Sequence, residues 1–237
     1  AVPGEETTGD SKYQLFYIGK TAMFSPTTAV IEAVMELEHM GALAYENLNR
    51  GLNALIELDQ AKIDKVYEVE KQINFMNHAI TDYLVKIGQM TLPIDDSRSI
   101  GALFHVVNDI ERIGDHAENL ADSARNRIAD NIAFSGAGLE ELKAISEKVN
   151  TILQYSIDMF AHNTKHHMQD IIDLENEIDE MERQFQKNHV ERLTKNECTA
   201  ASGMLFSDAI SGFERVADHA TNIAYALLEE APEEEED

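Results

Sequence analysis

The sequence predicts an all-α chain of six long helices, arranged as a three-helix unit that occurs twice. Apolar residues recur at spacings of three and four almost throughout, and 237 residues contain only four Pro and twelve Gly to interrupt them. Residues 110–121, I-E-R-I-G-D-H-A-E-N-L-A, return 103 residues later at 213–224 as F-E-R-V-A-D-H-A-T-N-I-A. Independently, V-E-K-Q-I-N-F-M at 69–76 aligns with L-E-N-E-I-D-E-M at 174–181, an offset of 105. Two motifs on different helices, repeating at nearly one offset, make a duplication rather than a chance match.

Residues 1–25 read as a leader. Ala1 to Lys12 is polar and glycine-containing, the composition of a disordered linker. Tyr13 to Phe24 is apolar enough to pack on the helices, or to descend from a missing domain or membrane part. After Ser25 and Pro26, Thr27 or Thr28 is placed to cap a first helix, with Val30, Val34, Leu37, Gly41, Leu48, Leu52 and Leu55 inward as far as about Leu58. A second helix spans 59–91 and stops at Pro93. A third begins between Asp95 and Ser97 and runs to about Ile132, burying Ile100, Leu103, Val107, Ile110, Ala117, Leu120, Ala124 and Ile128. S-G-A-G at 135–138 is the clearest break, so the repeats occupy 26–134 and 135–230. Helices over 139–166, 168–194 and 196–230 complete the second repeat, and 231–237 form an acidic tail. Met35, Met40, Met76, Met90, Met159 and Met181 fall at seam spacing and are assigned to the core.

Charge narrows the function classes. The chain carries 44 acidic and 19 basic residues, a formal net charge of −25, of which residues 229–237 supply seven acids. An acidic surface repels nucleic acid and anionic lipid and attracts cations or basic partners. One cysteine, Cys198, excludes an intrachain disulfide and fits a reducing compartment. No run approaches the roughly 18 apolar residues of a membrane span and no signal peptide is visible, so no membrane insertion of this chain is expected. The start at Ala1 rather than Met suggests a piece processed or excised from something longer.

The repeated motif has a chemistry. Glu111, Asp115 and Asn119 step by four along one helix, as do Glu214, Asp218 and Asn222, and each ladder sits on the shoulder of the apolar seam. The middle helices add Glu70 with Asn74 and Glu175 with Asp179 beside their own seams. Four or more oxygen ligands can therefore converge in each repeat. Carboxylates drawn together and partly dried need cations, which a multivalent metal supplies; an oxygen-rich set suits Mg²⁺, Mn²⁺, Ca²⁺ or iron. The competing reading is that Arg112, Arg215 and arginines such as Arg183 neutralise the ladders as ordinary ion pairs. His116 and His219 lie about 100° round the helix from each Asp, better placed for an interhelical hydrogen bond or a supporting role than for ligation. His162, His166 and His167 offer an i, i+4 pair that suits zinc or a solvated helix end. Glu36-x-x-His39 is half of a di-iron signature whose second copy is missing. Phosphate loops, nucleophile elbows, C-x-x-C and zincin motifs are all lacking.

The doubled E-R-[IV]-[GA]-D-H-A-x-N-[LI]-A with E-x-x-x-[DN] on the middle helices closely resembles the PhoU domain of phosphate-uptake regulation, over residues 26–230. The stretch from Leu15 to Leu55 is more similar to the PhoU-type domain at the C-terminus of bacterial sodium/phosphate cotransporter family proteins than to free PhoU. The resemblance implies two antiparallel three-helix bundles related by pseudo-two-fold symmetry. It also implies a non-catalytic cytosolic regulator with metal sites, often of iron or zinc. By position, Glu70, Asn74, Glu111 and Asp115 hold the first site, and Glu175, Asp179, Glu214 and Asp218 the second. Arg112, His116, Asn119, Arg215, His219 and Asn222 support them. Asn74 stands where the family pattern prefers Asp, so the first site is expected to be the weaker. Iron, zinc, manganese or magnesium is the expected metal. The expected partners are a phosphate transporter membrane domain or phosphate-signalling proteins, with a homodimer and tethering to the inner membrane face as further expectations. A metal-dependent enzyme on phosphate or redox substrates, and a metal-free helical adaptor, are the alternatives.

Overall fold

Local chemistry sets the helix ends. In the computed structural model, which describes residues 12–19, 25–91, 94–226 and 228, the six helices are α1 (Pro26–Glu57), α2 (Gln60–Gly88), α3 (Ile94–Ala129), α4 (Gly136–His162), α5 (Met168–Thr194) and α6 (Ala200–Tyr225). Asp59 caps α2 by accepting from Ala61 N and Lys62 N, and Thr199 caps α6 by accepting from Ser202 N. Left-handed residues close α1 at Leu58 and α4 at Asn163.

Several expected boundaries move for identifiable reasons. Neither Thr27 nor Thr28 caps α1: the helix already begins at Pro26, a residue with no N–H to leave unpaired in the first turn. The S-G-A-G break is mostly helix, because Ser135 accepts from Gly138 N and starts α4 three residues before Leu139. Helix α3 stops at Ala129 before left-handed Asn131, short of Ile132, and α4 stops at His162, short of His166. The sixth helix starts at Ala200, not Asn196, where the chain is left-handed; its expected end at Glu230, like Pro93, Lys20 to Phe24, the stretch 1–11 and the acidic tail, lies outside the described residues.

The six helices form two antiparallel three-helix bundles, α1–α3 and α4–α6, which meet through α3 against α6 and α1 against α4. Leu37, Met40, Leu48, Leu55, Ile63, Ile73, Met76, Ile80, Leu84 and Leu103 are fully enclosed in the first bundle. Ile145, Val149, Ile152, Met159, Ile171, Ile178 and Ile210 fill the second. Gly51 allows α1 to press on α3, since a Cβ there would stand 2.8 Å from Ala117 O. Met35 and Ile128, expected inside, are 41% and 42% exposed, because they lie on the outer faces of turns whose inner faces are Ala33, Glu36 and Leu37 in α1 and Ala124 and Arg127 in α3. The stretch after Lys12 does pack on the bundle: Ile18 is buried, and Tyr13 lies 6.0 Å from Phe75.

Candidate metal centre

The first constellation lies where α2 crosses α3. Glu70 belongs to the inward stripe of α2 with Val66, Val69 and Ile73, so its carboxyl group is carried into the interior and is 3% exposed. It lies over Gly114: a Cβ on that residue would stand 2.6 Å from Glu70 Oε2. Glycine in the middle of a long helix is otherwise a disadvantage of about 1 kcal/mol, and here it opens the space the carboxyl group fills. One oxygen each of Glu70, Asp115 and Glu118 lie within 4.8 Å of one another.

Both oxygens of Glu70 are buried without a hydrogen-bond partner. Burial, reinforced by the charges of Asp115, Glu118 and Glu111, pushes its carboxyl group up to about 8. Burial also raises Glu111, Asp115 and Glu118; Asp115 adds to the rise at Glu111, while the Arg112 guanidinium opposes it at Glu111 and Asp115. Among the described residues, no Lys or Arg comes within 4.0 Å of a ladder carboxylate: Arg112 and Arg215 are exposed, and Arg183 pairs with none of them. The ion-pair reading of the ladders therefore fails on geometry. A buried, orphaned carboxyl group facing two more carboxylates is a donor set that fits a hard cation.

The membership differs from expectation. Glu118 joins Glu70 and Asp115 in the gathered set, whereas Glu111, expected as a ligand, is half-buried outside it, and Asn119, expected in support, is exposed and lines the cleft between the bundles. Helix rotation explains it: at 100° per residue, position i+7 from Glu111 falls about 20° from it, whereas i+8 falls about 80° away. Asn222 likewise turns toward a shallow surface hollow with His105, Asp109 and Arg112. Asn74 is half-buried one turn after Glu70.

The second constellation is looser. Glu175, Asp179 and Glu214 are half-buried and Asp218 is exposed. Burial raises Glu175, Glu214 and Asp218, with Asp218 and Asp179 adding at both glutamates and Asp179 at Asp218. No three of the four carboxylates bring oxygens within 4.8 Å of one another as the first set does. Of the two sets, the one on the side of Asn74 has the more converged carboxylates.

Between the bundles, the two histidines of the motif face each other with ring centroids 6.1 Å apart. His219 Nδ1 lies 2.8 Å from Asp109 Oδ1, a hydrogen bond from α6 to α3. His116 packs beside Gly212 instead, and burial, then the charges of His219, Arg215 and Arg112, push it down to about 4. His116, Asn119, Asp122, Asp208, Ser211 and Arg215 line a cleft of about 390 Å³. The half di-iron motif has a structural use: Glu36 Oε2 accepts from the backbone N–H groups of Phe16, Tyr17 and Ile18, while His39 meets Phe16 edge-on at 4.7 Å.

Comparison with known proteins agrees with this architecture. The PhoU domain pattern matches residues 37–124 and 142–227, one stretch per bundle. The Phosphate-specific transport system accessory protein PhoU homolog of Pseudomonas aeruginosa is 28% identical over 190 residues, covering 80% of this chain and 78% of that protein. The crystal structure of PhoU from Pseudomonas aeruginosa superposes with a TM-score of 0.78 at 27% identity, over 84% of this chain and 95% of that one. The Putative inorganic phosphate export protein YjbB of Escherichia coli (strain K12) is 23% identical over 233 residues; the match takes in 98% of this chain but only 43% of that longer protein. These names describe phosphate transport, an accessory to it and an export protein, and none is that of a soluble enzyme or of a sodium/phosphate cotransporter. With both bundles matched and the fold superposed, the chain belongs to the PhoU domain family.

Proposed function

We propose that this chain is a non-catalytic regulatory module of phosphate transport whose carboxylate constellations bind divalent or trivalent metal. The observation that carries the metal reading is Glu70, buried, with both oxygens unpartnered, against Asp115 and Glu118. A metal ion would be held by those three, with Glu111 and Asn74 beside them; Glu175, Asp179, Glu214 and Asp218 would form a second, more open site. The ion supplies charge compensation, and displacing the Glu70 proton ties occupancy to pH. Iron, manganese, magnesium and zinc are the candidate ions, with oxygen donors favouring the harder ones. The transport role rests on family membership. Attachment to a larger phosphate-exporting protein, with action from the cytosolic side, completes the reading; its support is that this chain matches 43% of a longer relative named a putative inorganic phosphate export protein. Among the described residues no helix is long and apolar enough to cross a membrane.

Elemental analysis of chain purified without chelator, set beside Glu70→Gln/Asp115→Asn and Glu214→Ala/Asp218→Ala, tests the metal. The expected result is at least one equivalent in the parent and a clear loss in each double variant, greater in the first. No metal after incubation with iron, manganese or zinc would leave the helical adaptor reading in its place. For the transport role, cellular phosphate uptake or export should change when the parent is replaced by the Glu70→Gln/Asp115→Asn variant.

A further inference from the structure

We propose that the α4–α5 turn carries another metal site of different chemistry, in which Asp158, His166 and His167 hold Zn²⁺. One ligand atom from each of the three lies within 4.8 Å of the other two. The turn is built to bring them together. Asn163 in the left-handed conformation, with Thr164 N–H donating to Met159 O, reverses the chain and returns His166 and His167 beside Asp158 in the last turns of α4.

Each imidazole is oriented through its other nitrogen. His167 Nδ1 is 2.9 Å from Asp170 Oδ2, and its ring stacks on Tyr155 at 3.8 Å between centroids with 3° between planes, which leaves Nε2 for an ion. His166 Nδ1 meets the Thr164 hydroxyl, and its Nε2 is 2.7 Å from Asp158 Oδ2. This is the pattern of zinc sites, where a carboxylate or hydroxyl behind the ligand fixes ring and tautomer. His162 Nδ1 stands 3.2 Å from the other Asp158 oxygen, adding a nitrogen at the rim.

Two imidazoles and one carboxylate, with a water in the remaining position, make a tetrahedral set for zinc. Imidazole donors select zinc, copper or nickel over magnesium and calcium, whereas the ladders offer oxygen alone. The residues are exposed or half-exposed, so the ion can enter from solvent. Its effect is mechanical: an ion bridging Asp158 to His166 and His167 fixes the start of α5, two turns before Glu175.

Chelator-stripped full chain would be titrated calorimetrically with Zn²⁺ and, separately, with Co²⁺ followed by visible absorption. His166→Ala/His167→Ala is expected to lose one equivalent of Zn²⁺ and the tetrahedral Co²⁺ bands. Asp115→Asn/Asp218→Asn should keep the Co²⁺ bands and the histidine-dependent equivalent of Zn²⁺. Asp170→Asn, which removes only the orienting carboxylate, should weaken Zn²⁺ at this site by about tenfold. In the unsubstituted chain, ¹⁵N signals of His166 and His167 Nε2 should shift as Zn²⁺ is added. Unchanged stoichiometry and bands in the histidine variant, or Nε2 signals that do not move, would overturn the site. Should that variant lose its helical circular dichroism, the unsubstituted chain's NMR titration decides.

Discussion

The two bundles carry the same ladder motif on α3 and α6, yet only the first draws a carboxyl group into its interior. Glu70 sits under Gly114 and meets Glu118; at the repeat positions the second bundle has Glu175, Ala217 and Thr221. A methyl group at residue 217 occupies the space that Gly114 leaves open, and Thr221 removes one carboxylate, so Glu175 stays half-exposed. The surrounding helices differ in the same direction: α2 buries residues along its whole length, whereas α5 buries only Ile171, Ile178, His189 and Arg192. The interface breaks symmetry too, since Asp109 accepts from His219 while its counterpart Gly212 leaves His116 without a carboxylate. Duplication has supplied two frames, and single residues within them have set different electrostatics.

Protonation gives the largest separation between the frames. Glu70, raised from 4.5 to about 8, is more protonated in the folded than the unfolded chain between those values, so metal-free stability falls as pH rises through that window. His116, lowered from 6.5 to about 4, acts oppositely: the stability of its neutral form is complete above 6.5 and is lost as pH falls toward 4. The two oppose each other below 6.5, leaving pH 6.5 to 8 to Glu70. Urea melts of chelated protein should lose up to about 1.4 kcal/mol per pH unit there, and Glu70→Gln should flatten the slope. A similar flattening by Glu175→Gln would mean the frames are electrostatically alike.

A smaller effect comes from exchanging the residues beneath the carboxyl groups. Gly114→Ala should force Glu70 outward and weaken metal binding at the first constellation by about tenfold or more, while helix propensity returns up to about 1 kcal/mol of stability. Ala217→Gly should cost about 1 kcal/mol in a thermal melt and leave metal stoichiometry unchanged. Equal affinities before and after Gly114→Ala would remove Gly114 from the account of the site.

The smallest change concerns the histidine pair. Asp109→Asn should cost about 1 kcal/mol by weakening the bond to His219. Gly212→Asp should place a carboxylate beside His116 and raise its titration midpoint from about 4, read by NMR of the imidazole. A midpoint that stays put would show that Asp109 and Gly212 are not the source of the difference.

Recurrence made the fold legible, and recurrence also hid part of the site. Both seams, the two bundles and the carboxylates Glu70, Glu111, Asp115, Glu175, Asp179, Glu214 and Asp218 stand out because each has a counterpart. Glu118, Gly114 and Asp109 do not stand out, because their counterparts are Thr221, Ala217 and Gly212. Glu118 could have been found from helical rotation alone, by preferring i+7 over i+8. The depth of Glu70 could not, since the space above Gly114 depends on how closely α2 approaches α3. The starts of α1 at Pro26 and α4 after Ser135 are hidden in the sequence because glycine and proline mark breaks there, although backbone geometry at a helix start accommodates both.

Glu36 gathers three consecutive backbone N–H groups, and Lys12 reaches across to Glu68 at 2.8 Å. Residues 12–18 are thereby fastened to the flank of α1 and α2 rather than hanging from the tip of α1. A pull from ahead of Lys12 meets Glu68, two turns into α2, and then Glu36, three turns into α1. The load is thereby shared between two helices at points inside them, away from the first turn of α1.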